Sequence, residues 1–283
     1  MSTIVFMAKR STTDVKTLEA AARRIRGRLV RMSHEAGAPH LGSALSCVDL
    51  LVALYWNFLK IDVEKPMALE RDRFILSKGH AAAALYATLA ERGVIRDELL
   101  RTYGQDGSSL PEQMSPGCAP GVEAATGSLG HGLSLGLGMA LAARIEGRPS
   151  RVAVVLSDGE CNEGSVWEAA MLAAAQNVER LVAIVDYNRW QATGRSNDVL
   201  ALAPLADKWR AFGWDVHEVN GHDISAVSEI LRRVPTSTGN PTAVIAETTK
   251  GRGVSFMEDD NNWHYRIPNA EEVEAATREL GLA

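Results

Sequence analysis

The clearest indication of the fold is the stretch VAVVLSDGECNEGSVWEAAML, residues 152–172. A run of apolar residues ends at Asp158-Gly159, and a segment of helical composition begins shortly after it. Short, nearly all-apolar runs are typical of strands buried on both faces, as in parallel sheets with helical crossovers. The stretch therefore predicts a buried strand followed by a helix, with polar side chains at the exposed carboxyl end of the strand.

The rest of the chain repeats this alternation. We predict an α/β fold, a doubly wound and mostly parallel sheet flanked by helices, as one domain over residues 1–283. A helical extension is expected over about residues 1–60, interrupted by a loop at 37–46 where Gly and Pro are frequent. The other predicted elements are helices at 12–33 and 47–59, a strand, turn and helix over 73–93, a loop at about 104–127, a glycine-rich helix near 127–147, strands at 181–186, 214–219 and 242–247, and helices at 163–176, 204–212, 223–233 and 270–280.

Composition excludes several classes of protein. The net charge is −5 and no basic stripe occurs, so nucleic acid is not an expected partner. Cys47, Cys118 and Cys161 are widely spaced without a CxxC pair, which argues against a disulfide framework and against zinc. The first residues lack the apolar core of a signal peptide, and no apolar run reaches the roughly 20 residues of a membrane span. We expect a soluble, cytoplasmic protein.

Two oxygen-bearing side chains follow two predicted strands. Asp158 lies after the strand in the opening stretch, and Asn188 lies thirty positions later, after the next strand. If the strands are neighbours, both side chains reach the same edge of the sheet, where ligands bind in such folds. A carboxylate and an amide oxygen suit Mg²⁺ or Ca²⁺, especially when phosphates complete the coordination. Alternatively Asp158 only caps the following helix, but the paired Asn188 favours a metal site.

The motifs around these two residues resemble the transketolase family, particularly its two-subunit form. SDGECNEGSVWEAA followed by LVAIVDYN is similar to the family's thiamine diphosphate motif. The resemblance extends over nearly the whole chain, through HEAGAPHLGSALSCVDLLVALY, DRFILSKGHAAAALYA, PGVEAATGSLGHGLSLGLGMALAAR, VNGHD and TTKGRGVSFMEDDNNWH in the family's order. It implies the family's thiamine diphosphate-binding fold, and it is far more specific than the metal motif alone.

The resemblance implies roles for individual residues of the site. The implied metal ligands are Asp158, Asn188 and the backbone carbonyl of Trp190, which would hold Mg²⁺ or alternatively Ca²⁺ or Mn²⁺. The implied contacts with thiamine diphosphate are Gly159 and Asn188 at the diphosphate, Gly127 and Leu129 at the aminopyrimidine ring, and His80 and His264 beside the diphosphate and the reactive ring.

The same resemblance implies catalytic and interface residues. His40, His80 and His264 are the implied catalytic histidines, with His40 moving protons on the donor sugar, a task that suits imidazole near neutral pH. Glu163 and Glu168 match glutamates that link two active sites across a subunit interface.

Other histidines are expected to be structural, and a few positions depart from the family pattern. We expect His34, His217 and His222 to have structural roles, with Asp223 as an ordinary helix N-cap. Ser157 replaces a glycine, Gln113 lies near a position where the family has another histidine, and His131 stands where glutamine is usual. Glu160 and Cys161 receive no role.

The resemblance also implies a partner. In the family a second domain binds the pyrimidine ring, and 283 residues leave no room for it after the first, so we expect a C-terminal, pyrimidine-binding partner subunit in an α2β2 heterotetramer. The pair would transfer a two-carbon ketol unit from a ketose or ketose phosphate to an aldehyde. The alternatives are a subunit of an α-ketoacid decarboxylase or acyloin-forming ligase, and an inactive cofactor-binding regulatory partner.

Overall fold

Five parallel strands form one sheet in the computed structural model, which describes residues 13–283. Their order across the sheet is β1-β2-β3-β5-β4, so the chain builds outwards from β1 and places β5 between β3 and β4. The strands are β1 Arg73–Leu76, β2 Val152–Ser157, β3 Leu181–Tyr187, β4 Asp215–Asn220 and β5 Thr242–Glu247. The predicted mostly parallel sheet is confirmed.

Helices cover both faces of this sheet. The N-terminal helices are α1 Val15–Ala36, α2 Leu41–Ser46 and α3 Val48–Ala53, the last continued by a π-helical turn at Leu54–Phe58. The remaining helices are α4 Ala82–Glu91, α5 Asp97–Leu100, α6 Gly132–Ile145, α7 Gly164–Ala175, α8 Ser196–Val199, α9 Leu205–Ala211, α10 Ile224–Arg232 and α11 Ala270–Glu279. None of the helices in residues 13–283 is long and apolar enough to cross a membrane.

Alternating strand residues divide the interior into two cores. In β2, Ala153 and Val155 belong to a core shared with α1, α3, α4 and α10, whereas Val152 and Val154 face the other side, against α6 and α7. Successive side chains of a strand point to opposite faces, so a strand that is apolar throughout supplies both cores. This is the doubly wound arrangement that the apolar runs predict.

The glycine-rich helix α6 packs unusually close to the sheet. A methyl group on Gly136 would lie 2.5 Å from Cγ2 of Val154 and 3.4 Å from Cγ1 of Val152. The small residues on this face permit the close approach. Gly138, two residues on, faces open space.

One predicted element is wrong. Residues 37–46 were expected to be a loop, but the chain turns at Gly37 and at His40, both with positive φ, and then forms α2. All six residues of α2 are buried. Tertiary packing therefore holds a helix that is too short to be stable alone. The glycine at position 42 belongs to this packing, because a side chain there would meet Lys250 and Trp263 at 3.2 Å.

Substitution of the two glycines of α6 tests how closely this helix approaches the sheet. Gly136→Ala should lower the free energy of unfolding by about 1–3 kcal/mol, because the added methyl group overlaps Val154. Gly138→Ala, the matched control, should raise it by about 0.5–1 kcal/mol because alanine favours the helix at an open position. Urea denaturation measures both. Equal effects of the two substitutions would contradict the packing described.

Candidate active site

The carboxyl ends of β1, β2 and β3 lie side by side at one edge of the sheet. β1 pairs with β2 and β2 pairs with β3 in parallel register, with Leu76 opposite Val155 and Ser157 opposite Asp186. The residues that follow these strands therefore emerge at one edge of the sheet, including Asp158 and Asn188. The neighbouring-strand arrangement on which the sequence argument depends is confirmed.

Asp158 presents an unpartnered oxygen in a buried position. Its side chain is fully buried, Oδ2 accepts a 2.7 Å hydrogen bond from the Ser196 hydroxyl, and Oδ1 has no hydrogen-bond partner among residues 13–283. Burial, together with the nearby Asp186 carboxylate, raises the pKa of this carboxyl to about 6. A buried carboxylate of this kind is normally paired or coordinated to a cation.

Asn188 and Trp190 lie beside this carboxylate edge, on the turn that follows β3. Arg189 between them has a positive φ of 66°, and the Trp190 backbone N–H donates to the Asn188 amide oxygen at 3.0 Å. The Asn188 amide nitrogen donates to the Ser46 hydroxyl at 3.3 Å. The turn fixes the positions of two of the three groups that the resemblance assigns to the metal, the Asn188 amide and the Trp190 carbonyl; coordination of a metal by them and by Asp158 stays a prediction.

Gly159 and Gln191 complete this edge. A methyl group on Gly159 would lie 2.9 Å from Cγ of Gln191, so the absence of a side chain permits the contact. The Gln191 amide nitrogen is buried and, within the described part of the chain, has no acceptor. One unpartnered donor and one unpartnered acceptor therefore lie at the two strand ends, a combination that fits a diphosphate held with a cation.

A metal held by soft or nitrogen ligands is not supported here. No group of three or more His, Cys, Asp or Glu within residues 13–283 could hold a metal ion. A site made of one carboxylate, one amide and one backbone carbonyl contains no such group, and it depends on further oxygens from a ligand. That donor set suits a hard cation such as Mg²⁺.

A fully buried ion pair lies behind these groups. The Lys78 ammonium donates to Asp186 Oδ2 at 2.5 Å and to the Ser43 backbone carbonyl at 2.9 Å. The Ser46 and Thr248 hydroxyls also donate to the Asp186 carboxylate. These contacts join α2, the turn after β1, β3 and the segment after β5. Neither Lys78 nor Asp186 was singled out from the sequence.

Three imidazole rings meet in front of this pair. The ring centroids of His40 and His264 are 5.0 Å apart, those of His40 and His80 are 5.5 Å apart, and those of His80 and His264 are 5.8 Å apart. The His40 backbone N–H donates to the His264 carbonyl at 2.8 Å, which fixes two of the segments to each other. The structure therefore brings together the three histidines predicted to be catalytic.

Burial and neighbouring lysines keep these imidazoles neutral. Burial lowers the pKa of His40, lowers that of His80 well below its ordinary value and lowers that of His264 to about 3. The ammonium groups of Lys78 and Lys250 add to the shift. Near pH 7 all three rings are therefore neutral, and an anion bound among them would raise their pKa values.

Lys250 determines which nitrogen of His264 carries the proton. Its ammonium lies 2.6 Å from the Asn261 amide oxygen and 3.1 Å from His264 Nδ1. Burial lowers the pKa of Lys250 to about 8, so the ammonium is still mostly charged at pH 7. A charged lysine only donates, so Nδ1 accepts and the neutral ring carries its proton on Nε2.

Tyr265 lies at the solvent side of the imidazole cluster. Its ring centroid is 4.7 Å from that of His264 and 5.9 Å from that of His40, and 64% of the residue is exposed. Neither Tyr265 nor Lys250 was predicted to belong to the site. Lys250 lies within the quoted motif TTKGRG, which was the available signal, whereas nothing in the sequence marks Tyr265.

The glycine-rich loop that carries Gly127 and Leu129 lies against the His80 turn. A methyl group on Gly79 would come within 2.3 Å of the Thr126 carbonyl carbon, so this turn and the loop touch through their backbones. The Gln113 amide lies over Gly127, 2.0 Å from where a Cβ atom would be. Gln113 thus reaches the predicted cofactor loop, whereas His131 is exposed at the start of α6.

Glu163 and Glu168 lie at the N-cap and in the first half of α7. Both side chains are exposed on the first turns of α7, and neither forms an ion pair with any of the residues described. Their exposure leaves them accessible to another subunit; that contact stays a prediction.

The three histidines with expected structural roles lie outside the cluster. His222 Nδ1 donates to Asp49 at 2.7 Å and its Nε2 accepts from the Thr249 backbone N–H at 2.8 Å. His34 contacts the Pro268 carbonyl at 2.8 Å, and His217 belongs to β4. Asp223 caps α10 by accepting from the Ala226 N–H, as predicted.

A doubly wound sheet whose carboxyl edge gathers neutral imidazoles, buried lysines and an unpartnered carboxylate oxygen is suited to an anionic cofactor. The family model of the transketolase thiamine diphosphate-binding domain matches residues 18–283. The chain therefore belongs to the transketolase family, through the domain that binds thiamine diphosphate.

Curated relatives and solved structures agree with this assignment. The chain is 42% identical over 267 residues to a protein of Phocaeicola vulgatus named as one subunit of apulose-4-phosphate transketolase, covering 94% of this chain and 95% of that one. It is 40% identical over 244 residues to the 6-deoxy-6-sulfo-D-fructose transketolase subunit SqwG of Clostridium sp., covering 86% and 89%. The fold matches the crystal structure of transketolase from Campylobacter jejuni with a TM-score of 0.89 at 27% identity, over 95% of this chain.

The relatives differ in length. The chain spans nearly all of the two proteins named as transketolase subunits, but only 43% of the Campylobacter jejuni transketolase. The fold is that of the N-terminal, thiamine diphosphate-binding part of transketolases.

Removal of one partner from the buried ion pair tests its structural importance. Lys78→Met should lower the free energy of unfolding by about 3–5 kcal/mol, because it leaves the Asp186 carboxylate buried without a cation. Arg233→Met, which breaks the exposed pair with Glu229, should change it by less than about 0.5 kcal/mol. Guanidinium denaturation measures both variants. Similar small effects would show that water reaches Asp186.

Proposed function

We propose that this chain is the diphosphate-binding subunit of a two-component transketolase. Together with a pyrimidine-binding partner it transfers a two-carbon ketol unit from a ketose to an aldehyde, using thiamine diphosphate and Mg²⁺. The observation that carries the proposal is the meeting of His40, His80 and His264 beside the unpartnered oxygen of Asp158, in a chain of the family that binds this cofactor.

The residues present fit a cation and a diphosphate. Asp158, Asn188 and the carbonyl of Trp190 would hold Mg²⁺, and Gly159 would allow the backbone to approach the diphosphate. The buried Asp158 oxygen without a protein partner supports this assignment, because an ionised carboxylate in that position needs a cation. The unpartnered Gln191 amide supports an anion next to it.

The imidazoles are suited to proton transfer. Thiamine diphosphate, when bound, supplies the carbon that attacks the substrate carbonyl and carries the two-carbon unit. His40, neutral near pH 7, accepts a proton from a substrate hydroxyl, and His264 donates a hydrogen bond from Nε2 while Lys250 occupies its Nδ1. His80 follows the buried Lys78 by two residues and would lie beside the anionic part of the cofactor.

The partner is proposed from the relatives. Two relatives at 42% identity are each named as one lettered subunit of an apulose-4-phosphate transketolase, and such a name implies a second subunit in those proteins. We infer the same here, with an α2β2 assembly in which the exposed Glu163 and Glu168 lie at the subunit interface. The exposed Tyr265 at the mouth of the imidazole cluster is accessible to that partner and to substrate.

The donor is proposed to be a ketose with an anionic group at its far end. One relative is named for a sugar phosphate and another for a sulfonated sugar, so phosphate and sulfonate are both proposed classes. We further propose that the chain forms one domain, predicted over residues 1–283, which the match of the family model over 18–283 supports; residues 1–12 lie outside the part of the chain that the structure describes.

An assay of the two proteins, separate and mixed, tests the proposed function. With thiamine diphosphate, Mg²⁺, a ketose phosphate and an aldose phosphate, the mixture should transfer the two-carbon unit and neither protein should do so by itself. Within the mixture, His40→Ala should lower kcat by about 10²–10⁴-fold, the usual loss for a general acid or base, with cofactor affinity unchanged.

His217→Ala serves as the control in this assay, because His217 lies on β4 outside the imidazole cluster. Transfer by the chain without its partner would contradict the two-component assembly. A mixture that binds no thiamine diphosphate would contradict the function itself.

The pH dependence of Mg²⁺ binding tests the proposed metal site. Protons and Mg²⁺ compete for Asp158, whose pKa of about 6 leaves about a quarter of the carboxylate ionised at pH 5.5 and nearly all of it at pH 7.5. The Mg²⁺ affinity should therefore be about fourfold weaker at pH 5.5. Calorimetric titration in the presence of thiamine diphosphate measures it.

Two variants accompany this titration. Asp158→Asn should weaken Mg²⁺ binding at least about tenfold at pH 7.5, because the ionised ligand is lost. Asp198→Asn, which changes an exposed carboxylate on α8, should leave it unchanged. Mg²⁺ binding by Asp158→Asn with the affinity of the unaltered protein would contradict the site.

A further inference from the structure

Glu160 is a fully buried carboxylate within the opening motif. Its Oε1 accepts a hydrogen bond from the Ser77 hydroxyl and another, at 2.8 Å, from the Gly130 backbone N–H. Its Oε2 accepts from the Ser157 backbone N–H at 3.3 Å. Three donors from three segments therefore converge on one side chain: the end of β1, the end of β2 and the glycine-rich loop before α6.

A carboxylate is the side chain that such a set of donors requires. Its two oxygens accept all three hydrogen bonds and offer no proton that would oppose a donor. A glutamine has one acceptor oxygen, and its NH₂ group would face either the Ser157 N–H or the Gly130 and Ser77 donors. Burial of a carboxylate costs free energy, so its presence here among neutral donors indicates a positional constraint on those donors.

The segment that Glu160 holds is the loop that carries Gly127 and Leu129. Gly127 and Gly130 have φ values of 133° and 88°, which side chains other than glycine rarely adopt, so the loop has little conformational preference of its own. External hydrogen bonds must therefore determine its position. Gly130 is held from both sides, because its carbonyl also accepts from the Ser165 hydroxyl at 2.9 Å.

Ser77 connects the two ends of this arrangement. Its hydroxyl donates to Glu160 and accepts a hydrogen bond from the Gly132 backbone N–H at 3.1 Å. The Thr126 hydroxyl fixes the start of the same loop by donating to the Leu76 carbonyl at 2.8 Å. Glu160 thus lies at the centre of the contacts that attach the loop to the ends of β1 and β2.

Glu160 and Asp158 serve different parts of the edge although they are two residues apart. The Asp158 carboxylate meets the Ser196 hydroxyl, on the side of Asn188, whereas the Glu160 carboxylate meets Ser77 and Gly130. Loss of the Glu160 contacts should therefore disturb the loop while leaving the diphosphate edge in place.

We propose that Glu160 is a positioning residue that fixes the glycine-rich loop, residues 126–132, so that Gly127 and Leu129 meet the aminopyrimidine ring of thiamine diphosphate. The inference rests on the proposed function for the identity of the ring. It assigns to Glu160 no contact with the cofactor.

Comparing the binding of two ligands distinguishes an effect of Glu160 on the aminopyrimidine ring from an effect on the whole site. Thiamine diphosphate contacts both the loop and the diphosphate edge, whereas inorganic pyrophosphate with Mg²⁺ occupies only the latter. In the chain assembled with its partner subunit, Glu160→Gln should weaken thiamine diphosphate binding about tenfold, the effect of losing about one hydrogen bond. Pyrophosphate affinity should stay within about twofold, and both are measured by calorimetric titration.

Amide exchange reports directly on the loop. The Gly130 N–H donates to Glu160, so its hydrogen exchange should become at least about tenfold faster in Glu160→Gln, and faster still in Glu160→Ala. The isosteric glutamine keeps the test possible if the alanine variant does not fold. Protection of the Gly130 N–H should be lost more completely in Glu160→Ala than in Glu160→Gln, because the glutamine amide oxygen still accepts some of the hydrogen bonds.

Asp72→Asn is the matched control. Asp72 is a buried carboxylate that accepts from the backbone N–H groups of Lys60 and Arg151, but it precedes β1 at the opposite edge of the sheet. Its substitution should destabilise the fold without changing the ratio of the two ligand affinities or the exchange of Gly130.

The outcomes are distinct. Equal weakening of thiamine diphosphate and pyrophosphate by Glu160→Gln, or unchanged exchange at Gly130, would overturn this inference and leave the proposed function intact. An unaltered assembly that binds pyrophosphate but no thiamine diphosphate would overturn the proposed function, and this inference with it.

Discussion

The ion pair between Lys78 and Asp186 is the contact on which the arrangement of this site depends. It joins the turn after β1 to β3, and Ser43 and Ser46 of α2 attach to the same pair. Thr248, after β5, donates to the same carboxylate. The pair therefore sets the distances among the segments that carry the histidines. Both side chains are fully buried, so their attraction is not weakened by solvent.

The buried charges also explain the protonation of the cluster. Two lysines lie within reach of three imidazoles, so the protein holds its positive charge on amines that ordinarily titrate near 10 and leaves the rings neutral. The charged lysines attract an anion while the imidazoles stay neutral. The two carboxylates at the same edge differ in their partners. Asp186 forms an ion pair with Lys78, whereas Asp158 forms no ion pair among residues 13–283.

The sheet and the edge that carries Asp158 and Asn188 follow from local sequence, and the rest of the site does not. Every predicted strand is present, because apolar runs of strand length between helices have few other solutions. Asp158 and Asn188 could be placed at one edge because strand ends are local features. The helix α2 was missed because distant groups such as Lys250 and Trp263 bury it.

The histidine cluster and the contacts of Glu160 join residues that are far apart along the chain, so no local sequence pattern reveals them. His40, His80 and His264 were identified by family resemblance, and no spacing rule relates them, since they come from three segments joined only by tertiary packing. Glu160 was left without a role for the same reason. Its partners Ser77 and Gly130 lie 83 and 30 residues away, and a carboxylate that accepts from backbone groups leaves no pattern in the sequence.

His40 combines its imidazole with a backbone conformation that favours glycine. Its φ of 71° lies in the left-handed region, which costs a non-glycine residue on the order of 1 kcal/mol, and the turn it forms delivers its N–H to the His264 carbonyl. A glycine here would relieve that strain and keep the hydrogen bond. Given the proposed role of His40 in proton transfer, the imidazole is kept in spite of this backbone strain, and selection for thermal robustness alone would not retain it. Directed evolution of this protein for heat tolerance would need an activity screen to retain the histidine.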